Sequence, residues 1–366
     1  MDIPVIPPAA TPPAQPRSER LACLDAFRGF DILVMIFVNY IAPMAAIPFL
    51  LRHARAEMDA YTITDVVFPG FLFIVGAAMA LSVAKRKERG DTRSQITRHI
   101  LIRAGLLLLL GWALYCIEPG RITFRFQNVL AQLAVTTVVA YAVMRRPARE
   151  QIALSLGLIL LTEVLYRWLG APGFDQPFAP DQNFGAWVDM KISGELSAGH
   201  WVSFNAIPTA AHTIWGVLAG QLLLGHRAAR TKVRILALAG AAGVAAGFAL
   251  TPLSPMIKRI CTGSFVIASG GFCLLMLAFS YWLIDVRKLR KWAVFLNIVG
   301  LNSLFIYLFT ESGGTSYVRK LVVPFTTALV RWAGEIPAEI ATSLAAWAVL
   351  WSMCWWLYKK KIIIKI

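Results

Sequence analysis

Residues 24–40 read LDAFRGFDILVMIFVNY. The stretch opens like a soluble helix, with Asp25, Arg28 and Asp31 three apart, and becomes an apolar run of the kind that crosses a bilayer. Near its far end stands one amide, Asn39. At about 100° per residue, Arg28 lies about 60°, Asp31 about 120° and Asn39 about 40° from Asp25 around a helix, all in one rotational sense. The four polar groups therefore share one side. Lipid is a costly neighbour for them, so that side is expected to face protein or a wet cavity. Asn39 is about 21 Å of helix rise beyond Asp25, close to the opposite membrane surface. An Asp25–Arg28 ion pair and an interhelical hydrogen bond from Asn39 would account for the same residues without any chemistry.

Similar runs recur along the whole chain. It has 366 residues and is 58% hydrophobic, above the roughly half typical of soluble domains, and its mean hydropathy is +0.63. The pattern predicts an all-α polytopic membrane protein with about ten transmembrane helices. They are expected near 29–51, 64–84, 99–117, 128–144, 150–169, 204–225, 234–251, 264–284, 292–311 and 338–358. If the N-terminus is cytoplasmic, so are KRKERGDTRSQITR, RRPARE, HRAARTKVR, DVRKLRK and YKKKIIIKI. With the N-terminal tail these hold 23 of the 36 lysines and arginines, which predicts a multi-pass protein of the inner (cytoplasmic) membrane with both termini cytoplasmic. The net charge of +16 is read as this topology signal, with no nucleic-acid partner implied. Residues 1–19, Pro- and Ala-rich without an apolar core, are expected to be a disordered cytoplasmic tail, and 20–366 a single transmembrane domain. Segment 316–336 has charges at both ends and only ten residues between Lys320 and Arg331. It is expected to be a short interfacial or re-entrant helix. Residues 170–203, the largest outer loop, are long enough to cap a cavity.

Chemistry-bearing residues cluster at the predicted outer ends. His53 follows the first span and Asp65 opens the second, so a hairpin brings both near Asn39. An imidazole with a carboxylate to orient it and an amide nearby suits a general base in acyl transfer. A hydrated interfacial histidine is the plainer account. His200, His212, Lys258 and Asn302 are further outer-end or intramembrane polar groups that could join an acceptor site. Trp187, Trp201 and Trp215 fit an interfacial aromatic belt better than a sugar platform. The five cysteines are scattered, and no H-x-x-x-H or C-x-x-C occurs, so no metal site is expected.

The segments LDAFRGFDILVMIFVN, TITDVVFPGFLFIVGAAMALSVAKR, RITFRFQNVL, IPTAAHTIWGVLAGQLL, KRICTGSFVIASGG and GLNSLFIYL follow in this order. Together they resemble the transmembrane acyltransferases related to heparan-α-glucosaminide N-acetyltransferase, from about residue 18 onward. The first hairpin, D-x-x-R-G, then V-N, then D-x-V-F-P-x-F, is the most specific part. The resemblance implies a transmembrane acyltransferase-type bundle and transfer of acetyl from cytosolic acetyl-CoA to the amine of a glucosamine across the membrane. It places the family's essential histidine at His53, its asparagine at Asn39 and its aspartate at Asp65, with Asp25 and Arg28 in the opening motif. The loop from His53 to Asp65 is two residues longer than the family's and lacks its Trp and Gly. The family's L-Q-R reads Leu130-Ala131-Gln132, and its N-K-x-L-W-T reads I-K-R-I-C-T. These departures bear on the acceptor more than on the fold.

On this reading acetyl-CoA is the donor and no metal is needed. Basic groups at the inner mouth suit the CoA phosphates, with Arg28, Asp25, Lys85 and Arg86 the nearest in sequence. The Lys85–Lys87 run equally serves as plain topology signal. A direct transfer and an acetyl-His53 intermediate both fit. The expected partners are an amino-sugar or glycan acceptor and membrane lipid, and a homodimer is compatible with the sequence. A secondary transporter of amino sugars or glycoconjugates is the rival from another class, although no inverted repeat is visible. A related acyltransferase with another acyl group or acceptor is the third reading.

Overall fold

The computed structural model describes residues 21–40, 47–117 and 119–364. The tail expected at 1–19 lies outside them. Thirteen α-helices follow in order: α1 (Ala22–Tyr40), α2 (Val67–Glu88), α3 (Arg93–Ile117), α4 (Val129–Val143), α5 (Ala148–Trp168), α6 (Phe184–Ser193), α7 (Ala206–Leu224), α8 (Ala229–Ala249), α9 (Gly263–Ser280), α10 (Ala293–Leu301), α11 (Ser303–Glu311), α12 (Gly314–Val330) and α13 (Glu335–Lys359). Among the described residues there is no β-sheet, only an isolated bridge between Ala171 and Phe174.

The fold is that expected of a helical membrane protein. Among the described residues six stretches are long and apolar enough to cross a bilayer: Ile63–Glu88, Arg93–Ile117, Ser203–Leu224, Ala229–Ala249, Gly263–Val286 and Glu335–Lys359. The pair α10 and α11, bent by 67° at Asn302, makes a seventh if it counts as one span. Nine of the ten expected segments overlap a helix or this bent pair closely, and the first, 29–51, overlaps α1 only as far as Tyr40. The remaining three fall short for visible reasons: α4 has 15 residues, and charged residues dilute α1 and α5. Many side chains on outward faces, such as Leu109, Leu160, Leu238 and Phe279, are apolar and exposed, as contact with lipid requires.

Two boundaries differ from expectation. The first helix begins at Ala22, so its D-x-x-R-G motif is helical, and it is described to Tyr40. The expected far end of that span instead holds a 3₁₀ turn, Phe49–Leu51, opened by Pro48, which has no N–H to continue a helix. The third helix begins at Arg93, well before the apolar run. A reciprocal cap starts it: Thr92 N donates to Gln95 Oε1 at 2.7 Å, and Gln95 N to Thr92 Oγ1 at 3.3 Å. Segment 316–336 runs through most of the 17-residue α12, a 3₁₀ turn at Arg331–Ala333 and the first residues of α13; α12 carries Pro324 and is not among the helices long and apolar enough to cross.

At the centre α2 packs on α7 with backbones almost touching. A Cβ on Gly76 would collide with the Thr213 carbonyl, and one on Gly216 with the Phe73 carbonyl. Small residues allow this approach where lipid offers no hydrophobic drive between helices. Around this pair stand α1, α4 and α9, with α3 behind α4 and α8 behind α9. The face of α2 that carries Phe68 and Phe71 is left to line open space.

Candidate active site

The loop from His53 to Asp65 folds back on itself. Asp65 ends a capping box at the entry to α2: its Oδ2 accepts from Thr62 N at 3.1 Å and from Thr62 Oγ1 at 2.9 Å. Its Oδ1 faces two nitrogens. His53 Nδ1 is 3.1 Å away and Lys258 Nζ 2.9 Å away, and these two nitrogens are 2.9 Å apart. Lys258 arrives from the turn after α8, 193 positions along the chain. Asp65 is 0% exposed and Lys258 6%, whereas the imidazole is 32% exposed. Burial pushes the His53 imidazole below the usual histidine value; the Asp65 hydrogen bond works against this, and the charges of Lys258 and Arg259 add to it. Burial also lowers the Lys258 ammonium, with Asp65 opposing.

This triangle accommodates two tautomers. With its proton on Nδ1, His53 donates to Asp65 and Nε2 keeps a lone pair. With the proton on Nε2, Nδ1 accepts from the Lys258 ammonium instead. Only the first form is a base toward the adjoining cavity.

That cavity, the His53 chamber, has a volume of about 280 Å³. Asn39, Gln127, Gln132, Trp201, Arg259 and Glu311 line it with His53 and Lys258. Trp201 closes one wall, with the Arg259 guanidinium 4.5 Å from its ring centroid and Phe68 edge-on at 5.9 Å. A second chamber of about 530 Å³ lies toward the start of α1 and the end of α2. Arg28, Ser82, His99 and Arg103 supply its polar lining, and we call it the basic chamber. Phe71, Val129 and Tyr307 line both cavities. These three, which we call the neck, stand between the two cavities, with the Phe71 and Tyr307 rings edge-to-face at 6.3 Å.

The residues singled out in the sequence fall into two groups. His53, Asp65, Asn39 and Lys258 converge on the first chamber, and Arg28 lines the second. The others stand elsewhere. Asp25 pairs with Arg28 at 3.4 Å and lines a separate small cleft beside α10 and α13. Lys85 is exposed and Arg86 reaches Asp91 at 2.8 Å; neither lines the basic chamber. Asn302 bridges the chain's last described segment, donating to Ile362 O at 3.2 Å and accepting from Ile364 N at 2.9 Å. His200 pairs with Asp181 at 2.7 Å on the surface loop. His212 is fully buried against Ser269, Nε2 to Oγ 2.9 Å. Asp31 is buried where α1 meets α2; a Cβ on Gly70 would stand 2.7 Å from its carboxylate. The polar side of α1 thus reaches the cavities only through Arg28 and Asn39.

Several lining residues were not singled out. His99 and Arg103 stand one turn apart on α3, a spacing visible in the sequence once the helix is known to start at Arg93. Trp201 was read as a belt residue. Gln127 and Gln132 sit inside quoted motifs and Glu311 three residues past one, but none carries a spacing that marks it. Among the described residues no group of three or more His, Cys, Asp or Glu is arranged to hold a metal ion.

A helical membrane protein with two adjacent cavities, each bordered by charged side chains and sharing three lining residues, is the class these observations define. Residues 20–249 match the family described as heparan-alpha-glucosaminide N-acetyltransferase, catalytic, and the chain belongs to that family. It is 28% identical over 356 residues to the human heparan-alpha-glucosaminide N-acetyltransferase, covering 79% of this chain and 52% of the human one. The mouse protein of the same name is 29% identical over 160 residues, 41% of this chain and 24% of its own length. The chain thus spans about half the length of the human relative.

Proposed function

We propose that the protein is a transmembrane acetyltransferase. Acetyl-CoA is held in the basic chamber, and its acetyl group passes the neck to the amine of a glucosamine-type sugar or glycan in the His53 chamber. The observation that carries this reading is a pair of unlike cavities separated only by three shared side chains, Phe71, Val129 and Tyr307. One gathers cations, and the other borders a histidine–carboxylate–lysine cluster. The relatives' names, N-acetyltransferases of a glucosaminide, agree with it.

The roles follow from the geometry. Arg28, His99 and Arg103 offer positive charge to the donor's phosphates. The neck suits a long, thin pantetheine arm. With Nδ1–H donated to Asp65, His53 Nε2 takes a proton from the amine as its nitrogen attacks the acyl carbon. The carbon–sulfur bond breaks, and the departing thiolate takes up a proton to leave as CoA thiol. Asn39 donates to the acyl oxygen as negative charge gathers there. Lys258 offsets the Asp65 charge and so holds His53 in its neutral form. Relay through an acetylated His53 would use the same groups.

In this proposal residues 20–366 act as one unit of ten spans in the inner membrane. Both termini and the basic chamber face the cytoplasm, the side that collects most of the basic residues. A reporter fused after Lys361 should report cytoplasmic; a periplasmic signal would reverse the orientation. For the activity, membranes incubated with acetyl-labelled CoA and glucosamine should yield labelled N-acetylglucosamine. Sugar uptake without release of free CoA would overturn the enzyme reading in favour of transport.

A further inference from the structure

We infer that Glu311, with the side-chain oxygens of Gln127 and Gln132, forms a subsite for the protonated amine of the acceptor. This rests on the acyltransferase reading above. Glu311 ends α11 and is exposed to the His53 chamber, where it is the one carboxylate among the described lining residues. The other charged lining groups are His53, Lys258 and Arg259. Those already have partners: His53 and Lys258 share Asp65, and Arg259 lies over Trp201. The Glu311 carboxylate has no hydrogen-bond or ion-pair partner among the described residues.

A second observation points to the same ligand. Gln127 and Gln132 are 4% and 2% exposed, both line this chamber, and the Oε1 of each is buried without a partner. Buried polar atoms left unpaired are rare in folded proteins and call for a missing partner. The chamber therefore presents the Glu311 carboxylate, and its wall holds two further acceptor oxygens without donors. An alkylammonium is their complement: it carries three N–H donors, no acceptor and one positive charge. A neutral sugar would leave the carboxylate uncompensated. The cations of Lys258 and Arg259 belong to the turn after α8, whereas the acceptor groups belong to α4, its approach and α11. The chamber wall thus carries cations from one element and a carboxylate from another, and an amino sugar would enter with its nitrogen toward Glu311. Glu311 would concentrate the amine in the chamber as its ammonium form, and attack begins only once a proton has been lost to water and the free amine reaches His53.

The test uses the purified full-length chain in liposomes, with acetyl-labelled CoA and glucosamine. Glu311→Gln should raise the KM for glucosamine about 10–100-fold, the loss of one hydrogen bond to a charged group, while kcat stays within a few-fold. Glu311→Asp should recover most of the affinity. Inhibition by N-acetylglucosamine, which has no ammonium, should be the same in wild type and Glu311→Gln. An unchanged KM in a Glu311→Gln protein that melts like wild type would overturn the subsite, as would a loss confined to kcat. If the wild type transfers no label, the acyltransferase reading has failed. The subsite is then judged by calorimetry: glucosamine binding weakened by Glu311→Gln supports it, and equal binding overturns it.

Discussion

The two chambers are built from unlike materials. The basic chamber takes its charge from partly exposed side chains on separate helices, Arg28 on α1 and His99 and Arg103 on α3. The His53 chamber borders groups withdrawn from water, Asp65 and Lys258, each satisfied by the other. The first is a field, in which removing one cation leaves the rest in place. The second is a network, in which removing one member strands a buried charge.

That contrast can be broken by substitution. His53→Ala should cost about 10²–10⁴-fold in acetyl transfer with the protein still folded, the usual loss for a general base. Near-normal turnover in this variant, with turnover lost in His212→Ala, would put the base elsewhere. Lys258→Met should destabilise the protein by about 3–5 kcal/mol, since Asp65 is left charged and buried; thermal denaturation in detergent measures it, and an unchanged melting temperature would mean the cluster is no network. Arg103→Ala should raise the KM for acetyl-CoA about tenfold, as loss of one charge-assisted contact does, and leave melting almost untouched. The pH profile sharpens the comparison further. Burial and Lys258 hold the His53 pKa below its ordinary value, so wild-type activity should persist into mildly acidic solution and fall only as the imidazole protonates. Arg259→Leu removes a smaller downward influence, so its acid limb should move slightly to higher pH. Lys85→Ala should change neither KM nor kcat, because its side chain lines neither chamber.

Legibility in the sequence follows the same divide. Long apolar runs announced α2, α3, α7, α8, α9 and α13, because a bilayer demands length and apolarity together. The start of α3 was hidden, since the capping pair Thr92 and Gln95 lies in a charged stretch that hydropathy alone reads as loop. The approach of His53 to Asp65 was readable because both flank one hairpin. Lys258 was noticed as a polar residue near an outer end, but its contact with Asp65 spans 193 positions, and no local pattern records it. His200 and His212 look alike in sequence and differ only in packing, one on a surface loop and one sealed against Ser269. Glu311 and the two glutamines owe their prominence to what they lack, a partner, and only coordinates can reveal that.

The neck of Phe71, Val129 and Tyr307 has an electrical consequence. If both chambers hold water, the membrane voltage falls almost wholly across this thin apolar layer, where each elementary charge would experience about 2.3 kcal/mol per 100 mV. None of the three side chains carries a charge. An acetyl thioester is neutral, so it crosses the layer without electrical work, and the nucleotide's phosphates need not follow. Turnover by the proposed route should then be indifferent to membrane potential, and the insulator that keeps ions from leaking is also the place where the acyl group changes sides.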